Sequence, residues 1–193
     1  MARTKPQDTR EIDQLRAAVR RGARAKYVFF WSHKSVGAGI TSACLSQWYP
    51  APFSVDGSRY PTSEHFMMAE KARVFGDSES ELRILSAPNP GAAKRFGREV
   101  RGFDQRIWDS RRWGIAIAGN LAKFTQNPKL SEFLLGTGRR VLVEASPVDS
   151  IWGVGLAVDD EGIENPEQWR GLNLLGFALM EVRAQLCGER SSA

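Results

Sequence analysis

Between Pro61 and Gly136 the chain is cut into short runs by a series of helix-start signals, and those breaks limit the segment to a set of separately capped helices. Thr62 follows Pro61 as an N-cap, and Ser78 with Glu81 has capping-box spacing. Asn89-Pro90 sets a cap and a first-turn proline, Asp104 caps a long run through Trp108 and Ile115 to Phe124, and Asn127-Pro128 opens a shorter run that stops near Gly136. Strand-forming segments flank this block. The stretches 27-YVFFW-31 and 53-FSVDGSRY-60 precede it, the second turning as a hairpin on Asp56-Gly57, and 141-VLVEA-145 follows it. Near the end, Leu172, Leu175, Leu179, Val182 and Leu186 repeat at helical spacing, with Gly188 as a stop and 188–193 as a disordered tail. The order predicts an α+β fold, a predominantly helical single domain around a small β-sheet over residues 27–187.

Composition narrows the chemistry. The 193 residues hold two cysteines, Cys44 and Cys187, and two histidines, His33 and His65, too few for a disulfide framework or a Cys/His zinc site. The sequence has no apolar run long enough for a membrane span, so the expectation is a soluble, cytoplasmic protein with no membrane partner. Its formal net charge of +5 lies wholly in residues 1–26, a basic N-terminal arm that is partly helical. There Ile12, Leu15 and Val19 make one apolar stripe suited to docking on the domain. Two readings of the arm stand: a solvated basic face, and a tether that touches nucleic-acid phosphate.

The stretch 60-YPTSEHFMMAEKARVF-75 sets Glu64 in the first turn of a helix, where the helix dipole favours a carboxylate. Glu64 also shares a face with Met67 or Met68 and with Lys71. A carboxyl on a partly buried face has a raised pKa, which a general acid requires. Both readings of Glu64 stay open on these residues alone. Neighbouring His65 points about 100° away and reads as a packing or capping side chain. The segment 144-EASPVDSIWGVG-155 leaves a strand and presents Asp149 and Trp152 in a loop, either as a self-bonded turn over a core tryptophan or as a functional loop.

The runs 45-LSQWYPAPFSVDGSRYPTSEHFMMAEKARVF-75, 94-KRFGR-98, Trp108, 123-KFTQNPKL-130, 142-LVEASPVDSIWGVG-155 and 169-WRGLNLLGFALMEVRAQL-186 together resemble the NADAR family of YbiA-like N-glycosidases. The resemblance is ordered along the chain and leaves out only the arm and the tail. One departure is Gln47, where the family shows Asn in an LSN motif; its longer stem alters the fit of any ligand that this amide reads.

The resemblance implies hydrolysis of the C1′–N bond between ribose and a base or base-like amine, without metal or cofactor. It points to two substrate groups, ADP-ribose attached to guanine and ribosylaminopyrimidine phosphates of early riboflavin synthesis. It implies catalysis by Glu64 as general acid/base and Asp149 as electrostatic stabiliser or water positioner, or by the two with these roles reversed, and substrate contacts from Trp108 and Trp152. Lys71, Arg98 and Asn173 would hold phosphate, ribose or pocket geometry. The alternative is a non-catalytic module that binds ADP-ribose or a related nucleotide in the same pocket. Cleaving a C1′–N bond builds positive charge on the sugar, which carboxylates stabilise while one of them moves a proton. Turnover is accordingly expected to be the same before and after EDTA treatment. Activity lost to the chelator and restored by magnesium would place the carboxylates on a metal instead.

Overall fold

The computed structural model describes residues 10–34 and 39–191. Helix α1, Arg10–Arg20, leads into strand β1, Tyr27–Phe30; the hairpin strands β2, Phe53–Val55, and β3, Ser58–Tyr60, follow. Five helices come next: α2, Ser63–Val74; α3, Ser78–Leu85; α4, Pro90–Arg98; α5, Gln105–Gln126; and α6, Pro128–Gly136. Strand β4, Val141–Glu144, and the final helix α7, Leu174–Ser191, complete the chain.

The small sheet is two separate ladders. Strand β1 pairs in parallel with β4, Tyr27 opposite Val141 and Phe30 opposite Glu144. Strands β2 and β3 pair antiparallel, and the turn between them places Asp56 and Gly57 at φ 48° and 78°, the left-handed pair that a two-residue hairpin requires.

Side chains alternate across the parallel pair, and each face has its own core. Val28, Phe30 and Leu142 face Phe124, Leu134, Leu175 and Leu179 from α5, α6 and α7. Tyr27, Phe29, Val141 and Val143 face Trp169, Phe177 and Ile12 of α1. Burial on both sides explains why 141-VLV-143 is a continuous apolar run. A further core joins the hairpin to α2, α3 and α4 through Phe53, Tyr60, Phe66, Ala69, Ile84 and Ala93. Close approach fixes α2 within it: a Cβ at Gly119 of α5 would strike the Phe66 ring, and one at Gly97 of α4 would strike the Met68 sulfur.

Helix α1 is seated on the domain. Ile12 is 1% exposed, and Arg16 donates from Nε to the Pro166 carbonyl at 2.9 Å and from Nη2 to the Trp169 carbonyl at 3.0 Å. Arg20 pairs with Glu167 at 2.7 Å.

Two expected helix boundaries differ. Asp77, not Ser78, caps α3, accepting from the Ser80 N–H at 3.2 Å, because Glu81 is drawn away to Arg73 and cannot reach back to close a capping box. Helix α7 passes through Gly188 to Ser191, so the first four residues of the expected tail are helical. Gly188 is not among the glycines of positive φ and so does not form the left-handed stop. Among the described residues no helix is long and apolar enough to cross a membrane.

Because Ile12 is fully packed, Ile12→Ala is expected to lower the unfolding free energy by about 2–5 kcal/mol in urea titrations at constant slope. An unchanged midpoint would mean that α1 contributes nothing to the folded domain.

Candidate active site

The parallel ladder ends with Phe30 beside Glu144, so the segments that leave the two strands emerge together. Their residues Trp31, His33, Glu144, Ser146, Asp149 and Trp152 form one side of a cavity of about 950 Å³. The rest of its wall comes from Gln47 and Trp48, from Glu64, Met67 and Met68 on α2, and from Gly91, Lys94, Arg95 and Arg98 on α4.

Glu64 is 5% exposed and sits in the first turn of α2, where Thr62 caps the helix by accepting from the His65 N–H. Its own N–H donates to the Gln47 carbonyl at 3.0 Å. Burial pushes the Glu64 carboxyl up; Lys94, the Trp48 indole and Arg98 pull it down, and Asp149 adds to the rise. His65 stays out of the cavity. Its Nδ1 meets Thr62 Oγ1 at 2.8 Å and its Nε2 meets the Ala87 carbonyl at 3.1 Å; burial lowers its pKa, so it is a neutral ring pinned at the helix start.

Gln47 is oriented from behind. Asn120 donates its Nδ2 to the Ala116 carbonyl at 2.8 Å and to Gln47 Oε1 at 3.2 Å. A carbonyl only accepts, so Ala116 fixes which Asn120 atom is nitrogen, and Asn120 in turn fixes the Gln47 oxygen inward. Gln47 Nε2 is left without a protein partner in the cavity wall. The turn before it is held by Lys123, fully buried, which donates to the carbonyls of Cys44 at 2.7 Å and Ser46 at 3.0 Å. Burial brings the Lys123 ammonium down to about 7.

Asp149 turns its Oδ1 onto the N–H groups of Ile151 at 2.9 Å and Trp152 at 2.8 Å, fixing the loop that carries Trp152. It lines the cavity as well, so the turn and the functional loop are one structure.

Of the residues expected at the site, Glu64, Asp149, Trp152 and Arg98 line the cavity, and Lys71, Trp108 and Asn173 do not. Lys71 donates to the Gly97 carbonyl at 2.7 Å near the end of α4 and lies 4.2 Å over the Phe103 ring. Trp108 packs behind Met67 with Ala116 and Ala178. Asn173, at φ 54°, accepts on Oδ1 from the Glu144 N–H at 3.0 Å and donates from Nδ2 to the Leu142 carbonyl at 2.8 Å. These three brace the walls from outside.

Sequence reasoning missed Glu144, Lys94, Arg95 and Trp48. Glu144 was concealed in an apolar strand run, although a carboxylate at the end of a buried parallel strand is itself a signal. Lys94 and Arg98 stand four apart on α4, a spacing that places both cations on one face. Burial raises the Glu144 carboxyl to about 8, with Asp149 and Glu64 adding to the rise and Lys94 opposing it. Among the described residues no group of three or more His, Cys, Asp or Glu side chains is placed to hold a metal ion.

The NADAR domain profile matches residues 29–187. The chain belongs to the NADAR family. A relative from Acanthamoeba polyphaga mimivirus, named an N-glycosidase, is 41% identical over 166 residues, covering 83% of this chain and 96% of its own. N-glycosidase YbiA of Escherichia coli is 34% identical over 139 residues, 72% of this chain and 78% of its own. The NMR structure of E. coli YbiA matches this fold with a TM-score of 0.71 at 29% identity, over 89% of this chain and 90% of that one. A Vibrio vulnificus protein named for riboflavin biosynthesis is 33% identical over 142 residues, 74% of this chain and 35% of its own. With these relatives, this NADAR chain is a glycosyl hydrolase of the N-glycosidase class.

Folding raises the Glu144 carboxyl from 4.5 to about 8, so between those values the folded state binds the proton that the unfolded state releases. Its stability is therefore intact below the unfolded value and is lost as pH rises through the folded one. The melting temperature of Glu144→Gln is expected to match wild type near pH 4.5 and to exceed it increasingly up to about pH 8.5. A gap that does not change with pH would show that Glu144 is not a buried acid.

Proposed function

We propose that the cavity hydrolyses the C1′–N bond of a ribosyl group that carries phosphate, with ADP-ribose joined to guanine as the substrate its size favours. One observation carries this reading: the buried carboxyl of Glu64 and the half-buried ones of Glu144 and Asp149, from three elements, meet a cationic flank of α4. Glu64, Glu144 and Asp149 supply the negative side, and Lys94, Arg95 and Arg98 the positive side. Carboxylates stabilise an oxocarbenium-like sugar, and clustered Lys and Arg side chains receive phosphate oxygens.

Within this reading Glu64 handles acid–base chemistry and Asp149 stabilises the developing sugar charge while holding Trp152 in place. Trp152, with Trp31 and Trp48 in the same wall, offers ring faces for a base. Gln47 Nε2 supplies hydrogen-bond donors to a ribose or base oxygen. At about 950 Å³ the cavity lies near the top of the roughly 300–1,000 Å³ range of small-molecule sites, which supports a substrate of dinucleotide size. The riboflavin biosynthesis name of the Vibrio relative supports a second reading, a ribosylaminopyrimidine phosphate.

No residue of α1 lines the cavity, and Arg16 and Arg20 are engaged in docking that helix. The first nine residues of the arm, with Arg3 and Lys5, lie outside the described residues, and the reading centres on the nucleotide itself.

Base release from both substrates, followed by chromatography, tests the assignment. Glu64→Gln is expected to lower kcat at least about a hundredfold with the fold intact. Lys94→Ala and Arg98→Ala should each raise KM for the phosphorylated substrate about tenfold or more, the worth of one charge-assisted hydrogen bond, and spare a dephosphorylated analogue. Equal losses on both would mean that α4 does not read phosphate.

A further inference from the structure

The three cavity carboxyls have different hydrogen-bond partners. Glu64 receives the Trp48 indole N–H and lies within the fields of Lys94 and Arg98. Asp149 receives two backbone N–H groups on Oδ1. Glu144 Oε2 is buried and has no hydrogen-bond partner at all. A buried carboxylate oxygen without a donor is a costly state, and a neutral acid in the same place removes the buried charge. Neighbouring carboxyls that cannot all ionise share a proton, and the one with fewest donors keeps it.

The position of Glu144 is fixed independently of its carboxyl. Its N–H donates to Asn173 Oδ1 at 3.0 Å, and its carbonyl accepts from Ser146 N–H at 2.9 Å and Val154 N–H at 3.0 Å. The strand end therefore presents this one side chain to the cavity from a rigid base. The charged groups around it are Glu64 from α2, Lys94 from α4 and Asp149 from the loop after β4.

We propose that Glu144 is the proton donor to the departing base nitrogen and that Glu64 takes the proton of the attacking water. The inference rests on the N-glycosidase reading and divides its acid–base work between two residues. As the C1′–N bond breaks, its electron pair stays on nitrogen, which receives the Glu144 proton. Water adds its oxygen to C1′ and gives a proton to Glu64. Exchange with solvent then returns both carboxyls to their starting states, and nothing is oxidised or reduced. The balance of burial, Glu64 and Asp149 against Lys94 sets the Glu144 carboxyl at about 8, so it holds a proton at neutral pH and is still able to give it up.

Leaving-group dependence gives the test. Glu144→Gln should lower kcat at least about a hundredfold on a substrate that releases a base or amine, with KM little changed. The same variant should be far less impaired on a phosphorylated nitrophenyl riboside, whose leaving group departs as an anion and needs no proton. Glu64→Gln should lose both reactions. The wild-type rate on the amine substrate should fall above a pH of about 8, and this limb should be missing from the residual activity of Glu144→Gln. If the glutamine variant melts early, Glu144→Asp, which keeps the acid but draws it back, must retain partial activity and the alkaline limb.

A Glu144→Gln enzyme with wild-type rate overturns the proposal while Glu64→Gln inactivity leaves the glycosidase reading standing. Equal losses on both leaving groups overturn it too, because a structural residue would not distinguish them. A wild-type protein that cleaves no riboside of either kind refutes the glycosidase reading and the inference together.

Discussion

The parallel pairing of Tyr27–Phe30 with Val141–Glu144 is the constraint on which the remaining architecture depends. More than a hundred residues separate the two strands, and α2 through α6 fold within that span. Because the strands run the same way, both following segments leave the ladder at one end, which brings the Trp31–His33 segment and the Asp149–Trp152 loop to a single cavity. An antiparallel pair of the same residues would send one of those segments to the far side of the molecule. The apolar faces of β4 make the pairing obligatory: Leu142 and Val143 have no exposed surface and lie in different cores.

Polar side chains buried around this ladder act as braces. Asn173 accepts its strained left-handed backbone in order to clamp Leu142 and Glu144 together, and Lys123 gathers the carbonyls of the turn that leads to Gln47. Asn120 sets the Gln47 amide, and the Gln47 carbonyl receives the Glu64 N–H. Each brace fixes a cavity residue or a backbone group within two residues of one. Holding reactive groups in fixed geometry is how an enzyme lowers the reorganisation needed in the transition state. Lys71 and Trp108 belong with these braces, supporting α4 and Met67 from outside the cavity.

The site also explains itself electrostatically. Carboxyls crowded away from water resist ionisation, and cations opposite them restore part of the balance. Lys94 lowers both Glu64 and Glu144, whereas Asp149 raises both. Any anion seated against Lys94 would weaken its pull on Glu64 and Glu144, so occupancy of the cationic side and protonation of these carboxyls would be coupled by simple Coulomb interaction.

Local chemistry was legible in the sequence wherever a few adjacent residues decide the outcome. Thr62, Asn89 and Asp104 each cap the helix they announce, and Asp56-Gly57 makes the hairpin turn, because caps and tight turns are satisfied within a few residues of chain. Glu64 in the first turn of α2 and Asp149 in a self-bonded loop were readable for the same reason. The failures mark where distance matters: Ser78 yielded its cap to Asp77 once Arg73 captured Glu81, and the parallel ladder pairs residues too far apart for any local pattern to join. Helical spacing put Lys71 on the face of Glu64, but only packing against α4 turned its ammonium to the Gly97 carbonyl. A strand pattern recorded Glu144 as one polar letter in an apolar run; its Oε2 became an unpartnered oxygen at the cavity only when α2, α4 and the loop after β4 closed around it. Sequence by itself determined the helices, most of their caps and the chemical types available. Tertiary structure decided which of those groups share one water-poor space, because burial and proximity, which set pKa and reach, are properties of the folded chain.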